Sequence, residues 1–502
     1  MAPFTEWAGV GVPWAALSVA LPLAAGLAAA LSLRLARALA LPVAAFGVAL
    51  AAATAVQVGI HGPVEFAVGN WPPPLGIALR ADGLSCAFLL TGSLVVAATF
   101  AFAWPEFGAG GAGESGRKAW SFWPLSYCMV AALNAVFVGG DLFNLYVALE
   151  LLTVAAVALV ALEGTAQATA AAVRYLLYAM LGSLSYLLGV AILYVEHGTL
   201  DVLLLQSTLG GSSSAVLAAS LMTAGLMAKA ALFPLHGWLA SAHAAAPAPA
   251  SALLSALVVK APFVILLRLW SDALPAVPTP GFVQVMGALG ACGIVLGSLL
   301  ALRQERLKLV IAYSTVAQLG YVLLLLPLAI GPAASGQWAE TAWSGVVLHA
   351  IAHAFAKGAM FLAAGAMAQA LGHDRIEGLA GIGRVTPVAA FAFGLAAISL
   401  MGLPPSGGFL AKYLLLTAAL GSGQWWWAAV MIAGGLLAAA YLFRPMSLML
   451  SEDRPAVTHA VSRGSQLVAL ALAAVAVLIG LFSAAPLRLL RSGRPEWEEL
   501  GS

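Results

Sequence analysis

The sequence predicts an all-α integral membrane protein of about 14 transmembrane helices. Three observations carry that expectation: a composition too apolar for a water-facing globule, a succession of long apolar runs, and a one-sided distribution of basic residues. Of the 502 residues, 62% are hydrophobic and only 8% are charged, whereas soluble domains hold about 25% charged residues. The net charge of +2 gives no basic face, so a lipid bilayer is the expected surroundings and nucleic acid is not an expected partner.

A helix needs about 20 apolar residues to cross a bilayer. Fourteen runs meet that need, at 9–31, 38–58, 83–104, 122–140, 142–162, 173–195, 214–232, 249–270, 280–301, 308–330, 341–370, 386–418, 425–449 and 466–486. Their length, continuity and Ala/Leu content argue against strands. The first run has no basic start, so it reads as a retained helix and not a cleavable signal peptide.

With fourteen spans, the odd-numbered connections share one side. They carry thirteen basic residues: Arg34, Arg37, Arg117, Lys118, Arg174, Arg303, Arg306, Lys308, Arg375, Arg384, Arg444, Arg454 and Arg463. The other side, with both termini, carries five: Arg80, Arg268, Arg488, Arg491 and Arg494. The positive-inside rule then places both termini on the non-cytoplasmic side of the cell membrane.

Two local patterns invite other chemistry and are set aside. The run Phe107–Lys118 has phosphate-loop character, but Gly116 is followed by Arg117 where a P-loop needs Lys, and membrane helices flank it. His236 and His243 have no Cys or clustered carboxylate beside them, so no metal site is expected there; they remain accessory candidates. Cys86, Cys128 and Cys292 lie in apolar runs with no disulfide, zinc or iron–sulfur spacing. No cofactor is expected on this chain.

Four basic residues are left inside apolar spans: Lys229, Lys260, Lys357 and Lys412. Charges at that depth cost several kcal/mol, by estimates from about 2.5 to above 10, and are functional sites by default. The chain has 16 Arg and 6 Lys, yet every deep cation is Lys. Arginine stays charged, whereas a lysine amine is able to give up its proton, which suits groups that pass protons. Glu150 is the acid expected deep in a span, about 13–14 Å beyond Asp141 along a helix. Lys308, close to Arg303 and Arg306, reads as an ordinary residue at a helix end.

Pro234 follows Lys229 and should break its helix near Ala230. Gly402, Pro404, Pro405 and Gly407 precede Lys412 in the same manner. Broken membrane helices free backbone groups for ions or water, and one break in each half suggests a pair of inverted repeats. His349, His353 and Lys357 recur every four residues on one stripe about 12 Å long, a polar track of groups that titrate or carry protons. Lys260, just before Pro262, would extend it.

These residues lie in segments that resemble one family. DLFNLYVALE (141–150), KAALFPLHGWLASAHAAAPAPASALLSALVVK (229–260), LKLVIAYSTVAQLGY (307–321), HAIAHAFAKGAMF (349–361) and GLPPSGGFLAK (402–412) resemble the antiporter-like subunits of respiratory complex I, membrane-bound hydrogenases and Mrp cation/proton antiporters. The match covers about residues 80–450. It is most like the D-type Mrp subunit in length and in DLFNLYV, while GLPPSGGFLAK also looks like the complex I and hydrogenase versions.

The resemblance implies a single polytopic domain with N-terminal helices over 1–121, two inverted five-helix repeats over 122–270 and 280–449, and a last helix at 466–486. It implies proton half-channels through Glu150, Lys229, Lys260, His349, His353, Lys357 and Lys412. The expected function is that of a proton-translocating subunit in a multisubunit Na+ or K+/proton antiporter. The alternative is the same channel in a redox-driven pump of the complex I or hydrogenase kind, whose partner subunits would hold the redox centres.

Overall fold

The computed structural model describes residues 12–107, 114–208, 212–275, 277, 279–330, 336–453 and 455–493. The glycine-rich centre of the phosphate-loop-like run, the first residues of the first apolar run, Arg454 and Arg494 lie outside them.

Nineteen α-helices follow in chain order among the described residues. The first six are α1 (Trp14–Ala29), α2 (Leu33–His61), α3 (Gly83–Glu106), α4 (Glu114–Val138), α5 (Leu142–Val160) and α6 (Ala166–His197). Next come α7 (Val202–Thr208), α8 (Ser213–Lys229), α9 (Leu239–Ala245), α10 (Ala248–Ala256), α11 (Ala261–Arg268), α12 (Pro280–Leu302) and α13 (Leu307–Leu323). The last six are α14 (Gly336–Leu371), α15 (Pro387–Met401), α16 (Gly407–Gly421), α17 (Trp425–Met449), α18 (Arg463–Leu481) and α19 (Ala484–Leu490).

Every expected apolar run falls on one or more of these helices. Among the described residues, however, eleven helices are long and apolar enough to cross a membrane, or twelve if the bent pair Glu377–Arg384 and Pro387–Met401 is one span. The expected runs outside the eleven are the first, α1, the seventh, α8, and the twelfth, which is divided between α15 and α16; these helices are apolar but shorter. For α8 and α16 the cause is the proline breaks. The chain leaves helical geometry from Ala230 to Trp238, with Ala231 in the left-handed region at φ 54°. It leaves it again after Met401, where Gly402 takes φ 83°. The expected run 386–418 is therefore two helices, α15 and α16.

One element was not expected. Between α2 and α3 the chain forms an antiparallel hairpin, β1 (Val64–Ala67) with β2 (Ala78–Ala81), in which Val64 pairs Ala81 and Ala67 pairs Ala78. Four-residue strands around a proline-rich turn give too short a period-2 signal to stand out from the helical runs.

Helix α14, of 36 residues, is the axis of the fold. It packs against α3, α10, α13, α15, α16 and α18. Surrounded by protein on all sides, it is apolar around its circumference and not amphipathic, and its membrane-length window is wholly buried.

A second buried feature ties α3 to the end of α11. Asp82 caps α3 by accepting the Ser85 N–H at 2.9 Å. Its carboxylate also takes a two-pronged bond from Arg268, at 2.5 and 2.7 Å. Arg268 further donates to Asp272 at 3.0 Å and to the Ser85 hydroxyl at 3.0 Å. All of these side chains are buried. Removing one partner of a buried pair strands the other charge, at a cost of about 3–5 kcal/mol. Arg268→Ala is therefore expected to lower the amount of chain in the membrane severalfold. Arg268→Lys, which loses the fork geometry, should do nearly as badly. Quantitative immunoblotting of membranes checks this, and normal levels of both variants would show the cluster to be dispensable.

Candidate functional site

The sequence-predicted residues gather into two groups, buried except for Glu150, which is partly exposed. The first joins α5, α6 and α8. Gly182 on α6 and Gly225 on α8 face each other closely, and a Cβ at Gly182 would lie 2.7 Å from the Gly225 carbonyl oxygen. Absent side chains let the two backbones approach, as small residues do in membrane bundles. That approach sets Lys229, the last residue of α8, beside Ser183 and across from α5. Lys229 Nζ donates to Glu150 Oε1 at 2.9 Å and to the Thr153 hydroxyl at 3.0 Å. The Ser183 hydroxyl also donates to Glu150 Oε1. Unit charges at this separation attract by about 5–6 kcal/mol at an effective dielectric near 20, before desolvation is counted.

The second group is built on α14. Lys260 lies in the short irregular turn between α10 and α11, opposite His353. Its ammonium lies 2.6 Å from His353 Nδ1 and donates to the Ser255 carbonyl at 2.6 Å. His353 and His349 have ring centres 6.1 Å apart. His349 Nε2 lies 3.0 Å from the Gln318 carbonyl oxygen. The Gln318 amide donates to the Leu400 carbonyl at 3.2 Å, and Lys412 donates to the same oxygen at 2.7 Å. The proline break explains that acceptor. The helix ends at Met401, so the Leu400 carbonyl has no successor N–H to accept and takes side-chain donors instead. Lys412 Nζ also lies 4.8 Å from the centre of the Tyr321 ring, which is 5.2 Å from the His349 ring.

A branch leaves Lys260 in the other direction. The Ser255 and Thr315 hydroxyls are 2.9 Å apart, and Thr315 donates to the Ile311 carbonyl at 3.1 Å. Lys357 donates to that carbonyl at 2.8 Å and to the Ser314 hydroxyl. The expected His349–His353–Lys357 stripe thus points into one polar seam between α13 and α14.

The remaining predicted residues fall around these groups. Pro234 lies in the first helix break, and Pro404 and Pro405 lie in the second. His236 stacks on Phe233, with its Nδ1 unpaired by protein among the described residues. His243 is fully buried and stacks on Phe361. Among the described residues no protein hydrogen bond joins Lys229 to Lys260. Sequence reasoning missed Ser183, Thr153, Gln318 and Tyr321, whose residue types give no signal outside the fold. It also passed over Arg268, although Asp272 four residues on forms a recognisable helical ion pair with it.

At one end of the bundle a small cavity is lined by Glu65, Arg80, Asp201 and Arg268, among others. Burial pushes the Glu65 carboxyl up from its ordinary value, with Arg80 opposing. Burial likewise raises Asp201, against the backbone N–H groups of Leu204 and Leu203.

Deep titratable side chains, with Glu150 bonded to Lys229 and Lys260 to His353 and with polar groups lying between the others, are an arrangement able to pass protons. Residues 139–438 match the family described as NADH:quinone oxidoreductase/Mrp antiporter, TM. The chain belongs to that family. Among its relatives is the N subunit of the NADH-quinone oxidoreductase of Desulforudis audaxviator, 37% identical over 76% of this chain and 74% of the relative. The D subunit of the Na(+)/H(+) antiporter of Alkalihalophilus pseudofirmus is 30% identical over 73% of this chain and 71% of the relative. A chain of the Mrp complex from Dietzia sp. DQ12-45-1b superposes with a TM-score of 0.85 at 26% identity, covering 97% of this family member and 98% of that chain.

Proposed function

We propose that the chain is the proton-translocating subunit of a multisubunit monovalent cation/proton antiporter that exchanges Na+ or K+. The observation that carries this is the 2.6 Å contact of Lys260 with His353 at the centre of a fully buried polar seam. In this reading Glu150 and Lys229 form a switching pair, and Lys260 receives a proton from Lys229. His353 and His349 pass it along α14 towards Lys412, while Lys357 serves the branch. The two helix breaks, each beside a deep lysine, support two inverted repeats over 122–270 and 280–449.

Partner subunits have their own support. The Glu150 side chain is 32% exposed at mid-helix, on the face of α5 that also exposes Phe143, Val147 and Val154. A carboxylate is unfavourable against lipid tails, so another membrane subunit covering that face is the arrangement proposed. The one-sided basic residues support both termini on the non-cytoplasmic side of the cell membrane.

A second reading, a subunit of a redox-driven pump, is favoured by the 37% identical relative named as a quinone oxidoreductase subunit. Membrane vesicles separate the two. The antiporter reading predicts a pH change on adding Na+ or K+ that is lost when this chain is deleted. A response unaltered by deletion would sink it, and proton movement driven only by an electron donor would favour the second reading.

A further inference from the structure

Between α15 and the last turns of α17 the surface folds inward into an apolar groove of about 480 Å³. Phe391, Gly394 and Ile398 of α15 form one wall, and Met446 and Leu450 of α17 form the other. Glycine makes part of the space. A Cβ on Gly394 would meet only the Met446 methyl within 4 Å, at 3.6 Å, which is ordinary contact. Phe391 and Leu450, 61% and 76% exposed, flank the opening.

The groove follows α15 from Pro387 to Ile398, eleven residues and so about 16 Å of helix. That is close to half of the roughly 30 Å hydrocarbon core, the depth of a single leaflet. It stops near Met401, where α15 ends at the second proline break. A membrane helix of another subunit would run on through the second leaflet, where this groove does not continue. The acyl chain of one lipid matches its length.

The mouth of the groove carries both signs of charge. Arg384 lines it, exposed, and its guanidinium makes no hydrogen bond or ion pair among the described residues. Gly381 donates to the Leu448 carbonyl at 2.9 Å, and a Cβ on Gly383 would lie 2.7 Å from the Met449 carbonyl oxygen. The turn that carries Arg384 is therefore seated against the end of α17. There Ser451, also in the lining, donates to the Asp453 carboxylate at 2.9 Å, with Glu452 exposed beside it. A guanidinium fork suits a phosphate, and the two carboxylates suit an ammonium. A head with negative charge alone would meet repulsion from Glu452 and Asp453.

We propose that this groove binds one phospholipid whose head carries both a phosphate and a primary ammonium. One acyl chain lies along α15, the phosphate rests on Arg384, and the ammonium faces Glu452 and Asp453. The site is independent of which ion the complex moves.

The test uses the assembled complex, stripped of lipid in detergent and given phosphatidylethanolamine with a photoreactive group midway along one acyl chain. Labelled peptides are mapped by mass spectrometry and normalised to the labelling of the rest of the chain. Label is expected within 391–398 and 446–450. Unlabelled phosphatidylethanolamine should compete there at least about tenfold better than phosphatidylglycerol, which lacks the ammonium. Arg384→Gln should cut the label severalfold. Gly394→Leu, which puts a good helix former in place of glycine, should fill the groove and abolish it. Glu452→Gln combined with Asp453→Asn should keep the label but remove the preference between the two lipids. If Gly394→Leu fails to assemble, Arg384→Gln and the double variant decide the matter. Label that neither Arg384→Gln nor the double variant alters would mark ordinary bilayer contact and overturn the proposal. Equal competition by phosphatidylglycerol in the wild-type complex would overturn it too, and so would an absence of label at 391–398, which would mean that another subunit covers the groove.

Discussion

Glu150→Gln is expected to abolish proton movement while the complex still assembles. Glutamine keeps the shape and can still accept from the Ser183 hydroxyl, so α5, α6 and α8 should remain packed. What disappears is the only carboxylate bonded to Lys229 among the described residues, at 2.9 Å. Without it the ammonium is left with neutral acceptors alone, the glutamine amide oxygen and the Thr153 hydroxyl at 3.0 Å. Losing an attraction of several kcal/mol removes the pull that holds and releases the lysine. A rate loss of about a hundredfold or more corresponds to only about 2.7 kcal/mol. Glu150→Asp, with a carboxylate one methylene further from Nζ, should keep part of the rate, and Lys229→Ala should stop transport. Pairing transport assays with immunoblots checks all three. A Glu150→Gln complex that transports normally would remove the switching role.

The second large effect is expected at Lys260. Its ammonium is the one direct hydrogen-bonding contact among the described residues between the 229–260 segment and the α14 histidines. Lys260→Met is close in length and apolar, in a stretch where the neighbouring Val258, Val259 and Ala261 are buried as well. Assembly should therefore survive. The branch through Ser255 and Thr315 would remain, but no proton carrier would stand between Lys229 and His353. Transport should fall about as far as in Glu150→Gln, that is, by about two orders of magnitude. His353→Ala should slow transport less, because His349 and Lys357 still flank the gap. A His353→Ala complex that fails to assemble, with normal transport in the remainder, would mark the histidine as a packing residue.

How much of this was legible beforehand follows from the kind of signal each residue gives. Lys229, Lys260, Lys357, Lys412 and Glu150 stand out because a charge within an apolar run is expensive, and no fold is needed to see it. The His349–His353–Lys357 stripe is legible from helical spacing alone, and the two helix breaks follow from the chemistry of proline. The pairings are not legible in this way. Lys260 meets His353 across 93 positions, and Arg268 meets Asp82 across 186. Those contacts are set by which helices pack together, through close approaches such as Gly182 on Gly225. Backbone acceptors are hidden as well, since the carbonyls of Ile311 and Leu400 belong to residues with no polar side chain. Lys308 lies in the first turn of α13, as its sequence neighbours indicate, but its contact was hidden. Its basic neighbours in sequence look like a solvated helix end, while its acceptor, Ala246, lies 62 positions away.

The central claim is that the deep lysines hand protons on and do not merely hold positive charge. Lys229→Arg tests it most directly, because arginine preserves the charge beside Glu150 but does not release its proton. The measurement is the proton flux of the intact Lys229→Arg complex in sealed vesicles, normalised to the amount assembled. The account predicts a flux as low as that of Lys229→Ala. A Lys229→Arg complex with wild-type flux would contradict it, and would show that a fixed positive charge is all this position requires.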